Sequence, residues 1–136
     1  MQTVIFACVH NAGRSQMAAA WLQAHADQTR IRALSAGTAP ADRVHPEVVQ
    51  VMREVGIELA GKQPQKLDAA LLQKATHLVT MGCGEDCPPL PASVARLDWP
   101  FEDPKGKSIE HVRRIRDAIR DRVLLLLDEW RAAEAR

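Results

Sequence analysis

Cys8-Val9-His10-Asn11-Ala12-Gly13-Arg14-Ser15 is the stretch on which the reading of this chain turns. An unbroken apolar run, Val4-Ile5-Phe6-Ala7, precedes it, and Gln16-Met17-Ala18-Ala19-Ala20-Trp21-Leu22, rich in good helix formers, follows. That pattern puts Cys8 at a turn from a buried strand into a helix. Such a turn is a cradle for an anion: loop N–H groups point inward, the first N–H groups of the helix lack partners, and the helix dipole adds partial positive charge. A thiolate is favoured in the same place.

Five residues separate Cys8 from Arg14, a length that lets a loop wrap once around a tetrahedral oxyanion with sulfur beneath it and a guanidinium closing the top. Arg14 brings a planar fork of donors that a lysine lacks. Ser15 is placed to start the helix and to donate its hydroxyl hydrogen to the Cys8 sulfur. Cys8 is then the expected nucleophile, and Val9, His10, Asn11, Ala12, Gly13 and Arg14 are the expected oxyanion-binding residues. The plainer alternative is a buried cysteine ending a core strand beside an ordinary surface arginine, and the Cys-x5-Arg-Ser spacing weighs against it.

Length and composition bound the rest. A chain of 136 residues is expected to form one domain, residues 1–136, large enough to bury a core without staples. The net charge of +1 implies no strong field for nucleic acid or a membrane surface. No apolar stretch reaches the roughly 20 residues that span a bilayer, and Met1-Gln2-Thr3 runs into a strand without a signal-peptide pattern. A cytoplasmic location is expected. There, three cysteines argue for catalytic or metal-binding use rather than a structural disulfide set. The histidines show no metal-ligand spacing, and no metal is expected.

Further along, Ile31-Arg32-Ala33-Leu34-Ser35 alternates as a second strand, ended by the loop Ser35-Ala36-Gly37-Thr38-Ala39-Pro40. Pro46 and Glu47 start a helix with Val48, Val49, Met52 and Val55 on one face and Gly56 closing it. Leu67 to Ala75 reads as a short helix, His77 to Met81 as a third strand, and Val94 to Asp98 as a weaker fourth. Ser108 caps a long last helix with a stripe of Ile109, Val112, Ile115, Ile119, Val123, Leu126, Leu127 and Trp130. Its arginines, Arg113, Arg114, Arg116, Arg120 and Arg122, interleave with Asp117 and Asp121 and read as a solvated face.

With Asn11 inside the loop and Asp103-Pro104 late in the chain, Cys-x5-Arg-Ser resembles the low-molecular-weight tyrosine phosphatase family. The wording from His10 to Ala18, with Ser35-Ala36-Gly37-Thr38 downstream, is closer to its arsenate reductase branch. The expected fold is α/β: a four-stranded parallel sheet in the order 2-1-3-4, with helices on both faces and ligands outside the carboxyl ends of the strands. Neighbouring strands lie about 4.8 Å apart, so the loop with Cys83 and Cys87 opens on the same edge as Cys8.

The resemblance implies a three-thiol relay. Cys8 attacks arsenate, Cys83 resolves with release of arsenite, and Cys87 completes a Cys83–Cys87 disulfide. As i and i+4 residues these two would stand about 6 Å apart by Cα in one helical turn, a distance a disulfide tolerates. An external reductant reopens it: thioredoxin in some relatives, a small thiol such as mycothiol or glutathione in others. Arsenate, phosphate or sulfate are the oxyanions expected in the cradle, and no bound cofactor is implied. Asp103 matches the family's general acid, with Asp98 and Glu102 as alternatives, and Lys105-Gly106 after the Asp-Pro favours a small inorganic oxyanion over an aryl ester. Asn11 holds the loop's shape and, in the family, touches Ser35. Where some relatives bind potassium, this chain has Ala19, Gln63 and Gln65, so no such site is expected; Lys62 or Lys66 is placed to supply the charge. Two other readings stand beside the reductase: a tyrosine or small-ester phosphatase, and a thiol module that binds arsenite or zinc.

Overall fold

The structure, a computed structural model, describes residues 1–82 and 87–134. In chain order its elements are β1 (Gln2–Cys8), α1 (Arg14–His25), β2 (Ile31–Gly37), α2 (Pro46–Arg53), α3 (Ala69–Leu72), β3 (His77–Thr80), β4 (Ala95–Asp98) and α4 (Ile109–Glu134). The strands form one parallel sheet in the order β2-β1-β3-β4, as expected.

β1 is central, and every residue from Val4 to Cys8 is buried, which is why it reads as an unbroken apolar run instead of an alternating one. Its side chains alternate between two cores. Val4, Phe6 and Cys8 pack with Met17, Leu22, Val48, Met52 and Ile119 under α1, α2 and α4. Ile5 and Ala7 join Leu67, Leu72, Ala75, Leu78 and Val94 on the opposite face. That second layer is thin, for α3 is a single turn and flanking loop residues complete the cover.

Several boundaries depart from the sequence reading for physical reasons. β2 runs on to Gly37 because Ala36 and Gly37 pair with Ala7 and Cys8. α3 starts only at Ala69, since Asp68 caps it by accepting from the Leu71 N–H at 2.8 Å; Leu67 is a buried loop residue. α2 ends at Arg53, ahead of the left-handed turn at Gly56, so Val55 leaves the helical face and is exposed while Val51 is buried in its place.

Ser108 caps α4 as expected, accepting from the His111 N–H at 3.2 Å. The arginines of α4 are not uniformly solvated. Arg116 is buried, donating to the Val51 carbonyl and to Glu54, both at 2.9 Å. Val51 lies in the last turn of α2, whose carbonyls lack intrahelical partners and attract a cation. Arg122 lies 4.7 Å above the Trp99 ring. Among the described residues, no helix is long and apolar enough to cross a membrane.

Candidate active site

The register sets the site: Cys8 ends β1 beside Gly37 of β2, and Ala7 stands beside Thr80 of β3. Beyond that edge, each carbonyl from Cys8 to Gly13 is drawn away from the loop's centre. Those of Cys8, Val9 and His10 accept from the N–H groups of Thr38 (3.2 Å), Ala39 (2.8 Å) and Ala41 (2.9 Å). The Asn11 carbonyl accepts from the Gln16 side chain at 3.1 Å, Ala12 from the His45 N–H at 2.9 Å, and Gly13 from the Met17 N–H at 3.0 Å. In a trans peptide the N–H points opposite the carbonyl, and no peptide here is cis. The N–H groups of Val9, His10, Asn11, Ala12, Gly13 and Arg14 are therefore turned toward the middle of the loop. Gly13, the N-cap of α1, adds no side-chain bond to the helix's first turn.

Two features let the loop close. Asn11 is the one non-glycine described residue with positive φ, at 52°, a conformation asparagine tolerates better than most. Gly37 lies so near that a Cβ on it would meet the Val9 carbonyl oxygen at 2.5 Å and the Asn11 nitrogen at 2.9 Å.

Beneath the loop the Cys8 thiol is buried and free, with its sulfur 2.9 Å from the Ser15 hydroxyl. The Gln65 N–H donates to Asn11 Oδ1 at 2.9 Å, which fixes the amide so that Nδ2 donates to Ser15 Oγ at 2.8 Å. Ser15 Oγ is then an acceptor on one side, which leaves its own proton for a thiolate at Cys8. Ser35 joins through Gln65: its carbonyl accepts from Gln65 Nε2 at 2.8 Å. Gln16 Nε2 also reaches Asn11 Oδ1, at 3.3 Å.

Arg14 closes the site from above. Its Nη1 donates to the Phe101 carbonyl at 3.1 Å, and its Nη2 lies 3.8 Å from Asp103 Oδ2. Gly82, at the exit of β3, leaves the room it needs, for a Cβ there would stand 2.4 Å from Nη1. Pro104 packs directly on Gly13, which fixes the course of the Asp-Pro turn. Of the three expected acids only Asp103 faces the cradle. Asp98 is bonded to Thr80 and Arg96, and Glu102 to Lys107 and His111. Asp103 Oδ1 also accepts the Lys105 N–H at 3.0 Å, so the turn and the site share one carboxylate.

Met81 N–H donates to the Ala7 carbonyl at 2.7 Å, so the chain leaves β3 beside the cradle and passes Arg14 at Gly82. Cys83 lies outside the described residues, whereas Cys87 is described and half-buried. His10 is half-exposed on the loop. His45 was not marked by any spacing, yet its N–H anchors the Ala12 carbonyl and its ring sits near Asp103 and His10. Burial holds its imidazole below the usual histidine range, against the opposing pull of Asp103. Gln16, Gln65 and Gly37 were likewise unmarked as supports of the loop.

Behind the cradle a cavity of about 210 Å³ is lined by Gln16, Ala19, Lys62, Gln63 and Gln65 without a carboxylate. Lys66 Nζ donates to the Thr38 carbonyl. Among the described residues, no three His, Cys, Asp or Glu side chains gather as a metal site.

Comparison with known proteins agrees with this geometry. The family model for low molecular weight phosphotyrosine protein phosphatase matches residues 3–135. An arsenate reductase of Brevibacillus brevis is 37% identical over 124 residues, which is 90% of this chain and 91% of the relative. An arsenate reductase solved in its phosphate-binding state superposes with a TM-score of 0.83 at 31% identity, covering 95% of this chain and 98% of that one. The thioredoxin-dependent arsenate reductase of Corynebacterium glutamicum superposes with a TM-score of 0.83 at 33% identity; it covers 98% of this chain, which spans 63% of that protein's length.

Proposed function

This chain belongs to the low molecular weight phosphotyrosine protein phosphatase family, and we propose that within it the protein works as an arsenate reductase. One observation supports the reading: with the carbonyls from Cys8 to Gly13 bonded outward, the N–H groups turn toward the middle of a loop that the Cys8 thiol begins and the Arg14 side chain ends. That arrangement is electrostatically preorganised for a tetrahedral anion.

The steps follow from these positions. The Cys8 thiolate, hydrogen-bonded by Ser15, attacks the arsenic of bound arsenate. Asp103 gives a proton to the departing oxygen, which leaves as water, and the arsenic becomes bonded to Cys8. The Cys83 thiolate then attacks the Cys8 sulfur. As the new S–S bond forms, the electron pair of the S–As bond passes to arsenic, reducing As(V) to As(III), and arsenite leaves. Cys87 attacks the Cys83 sulfur and displaces Cys8 as thiolate, leaving a Cys83–Cys87 disulfide for an external dithiol to reduce. Thioredoxin is the favoured reductant because a relative of this fold is thioredoxin-dependent; mycothiol and glutathione are the alternatives. Chemistry that starts from free thiols belongs in a reducing compartment, and we place the protein in the cytoplasm. Phosphate and sulfate fit the same cradle, so weak phosphatase activity accompanies reduction. The arsenite- or zinc-binding reading gives no role to Arg14 or Asp103.

Cysteine replacement tests the proposal. Cys83→Ser and Cys87→Ser are expected to keep hydrolysis of an aryl phosphate and to lose multiple-turnover arsenate reduction with thioredoxin, thioredoxin reductase and NADPH. Full reduction by both variants contradicts the relay.

A further inference from the structure

Residues 101–107, between β4 and α4, bring Asp103 to the cradle. The loop is tied to the cradle by the Phe101 carbonyl on Arg14 and by Pro104 on Gly13. Another tie crosses its open side. Glu102 Oε1 lies 3.0 Å from Lys107 Nζ, and Glu102 Oε2 lies 2.7 Å from His111 Nε2. Lys107 stands at the loop's exit and His111 in the first turn of α4, so one carboxylate joins the entry of the loop to its end. Asp103 is the next residue and projects from the backbone this strap spans.

We propose that Glu102 is a positioning residue for the reaction: through Lys107 and His111 it straps residues 101–107 so that the Asp103 carboxyl stands over the cradle. The inference rests on the reading of the site as an arsenate reductase with Asp103 as its acid. Two oxygens on two donors fix both the position and the rotation of the Glu102 side chain, which a single contact does not. All three partners are partly solvated, and exposed pairs of this kind add little to global stability. Their consequence is local. Displacing an acid by a fraction of an ångström slows proton transfer without unfolding anything.

A double-mutant cycle tests this, read as the rate of arsenate-dependent thiol loss in a single turnover of the full chain. Glu102→Ala is expected to slow that rate roughly tenfold in the native background and by less than about twofold in Asp103→Asn, because a residue that acts through Asp103 has nothing left to position. Phosphate affinity, measured by calorimetry, stays at the native value since the cradle itself is untouched. The combined variant Lys107→Met, His111→Asn reproduces the Glu102→Ala rate and replaces it in the cycle should Glu102→Ala fail to fold. The proposal is overturned if the Glu102 and Asp103 effects multiply, if Glu102→Ala reacts at the native rate, if Asp103→Asn does, or if phosphate affinity falls in step with the rate. Should the native protein lose no thiols to arsenate, the reductase reading fails by itself. The strap is then tested on aryl phosphates, where it predicts a Glu102→Ala defect confined to poor leaving groups; an equal defect on all of them, or no hydrolysis, overturns it.

Discussion

The Ser15 hydroxyl stands 2.9 Å from the Cys8 sulfur and 2.8 Å from the Asn11 amide nitrogen. It accepts from Asn11, which leaves its own proton for a thiolate at Cys8, and the chain of bonds begins at the Gln65 backbone. Nucleophile and loop shape therefore depend on one network.

Removing the serine hydroxyl isolates that dependence. A hydrogen bond to a charged group contributes about 1.5–3 kcal/mol, so Ser15→Ala is expected to slow alkylation of Cys8 by iodoacetamide at neutral pH about tenfold or more. Circular dichroism is expected to show a native fold. Native reactivity in this variant contradicts a serine-stabilised thiolate.

Gly82→Ala acts from the turn that leaves β3. The added Cβ overlaps Arg14 Nη1, and φ there is +102°, where a side chain is strained. With the guanidinium displaced, phosphate affinity by calorimetry is expected to fall roughly 10- to 100-fold, the equivalent of one lost charge-assisted bond. An unchanged affinity removes Arg14 from the role of closing the site.

The three acidic candidates separate by what already holds them. Asp103→Asn is expected to slow the first chemical step about a hundredfold, within the usual range for a general acid. Asp98→Asn is expected to stay within about twofold of native, since Asp98 is engaged by Thr80 and Arg96. Stopped-flow thiol loss on mixing with arsenate distinguishes them.

Stability is expected to fall in mild acid. Burial holds His45 and His77 below the ordinary value of 6.5, so the unfolded chain takes up protons before the folded one does. The stabilising difference is present above that range and is lost as pH falls through about 6.5 and below. Urea midpoints are expected to be lower at pH 5.5 than at 7.5, and His77→Gln is expected to narrow the gap. An equal or larger gap in that variant contradicts the assignment.

Much of this architecture was legible along the chain. A run of buried residues before Cys8, a helix-forming segment after it, and the Asp103-Pro104 pair mark elements whose signals are local. What escaped is tertiary. Gly37 and Gln65 support the cradle from β2 and the segment after α2, and no periodicity announces a contact between segments so far apart in sequence. Arg116 looked like one of several solvated arginines until α2 ended where the Val51 carbonyl of its last turn needed a donor. Glu102 resembled Asp103 in chemistry and differed only in which way its side chain is held. The pairing of Cys83 with Cys87 stays an expectation of the chain, since Cys83 lies outside the described residues.

The central claim is that this one chain carries both electrons needed to reduce arsenate. Fully reduced protein is mixed anaerobically with arsenate and no other thiol, and free thiols and arsenite are counted. One arsenite released and two thiols lost per chain are expected, with the disulfide mapped to Cys83 and Cys87. A chain that keeps all its thiols and releases no arsenite contradicts the claim.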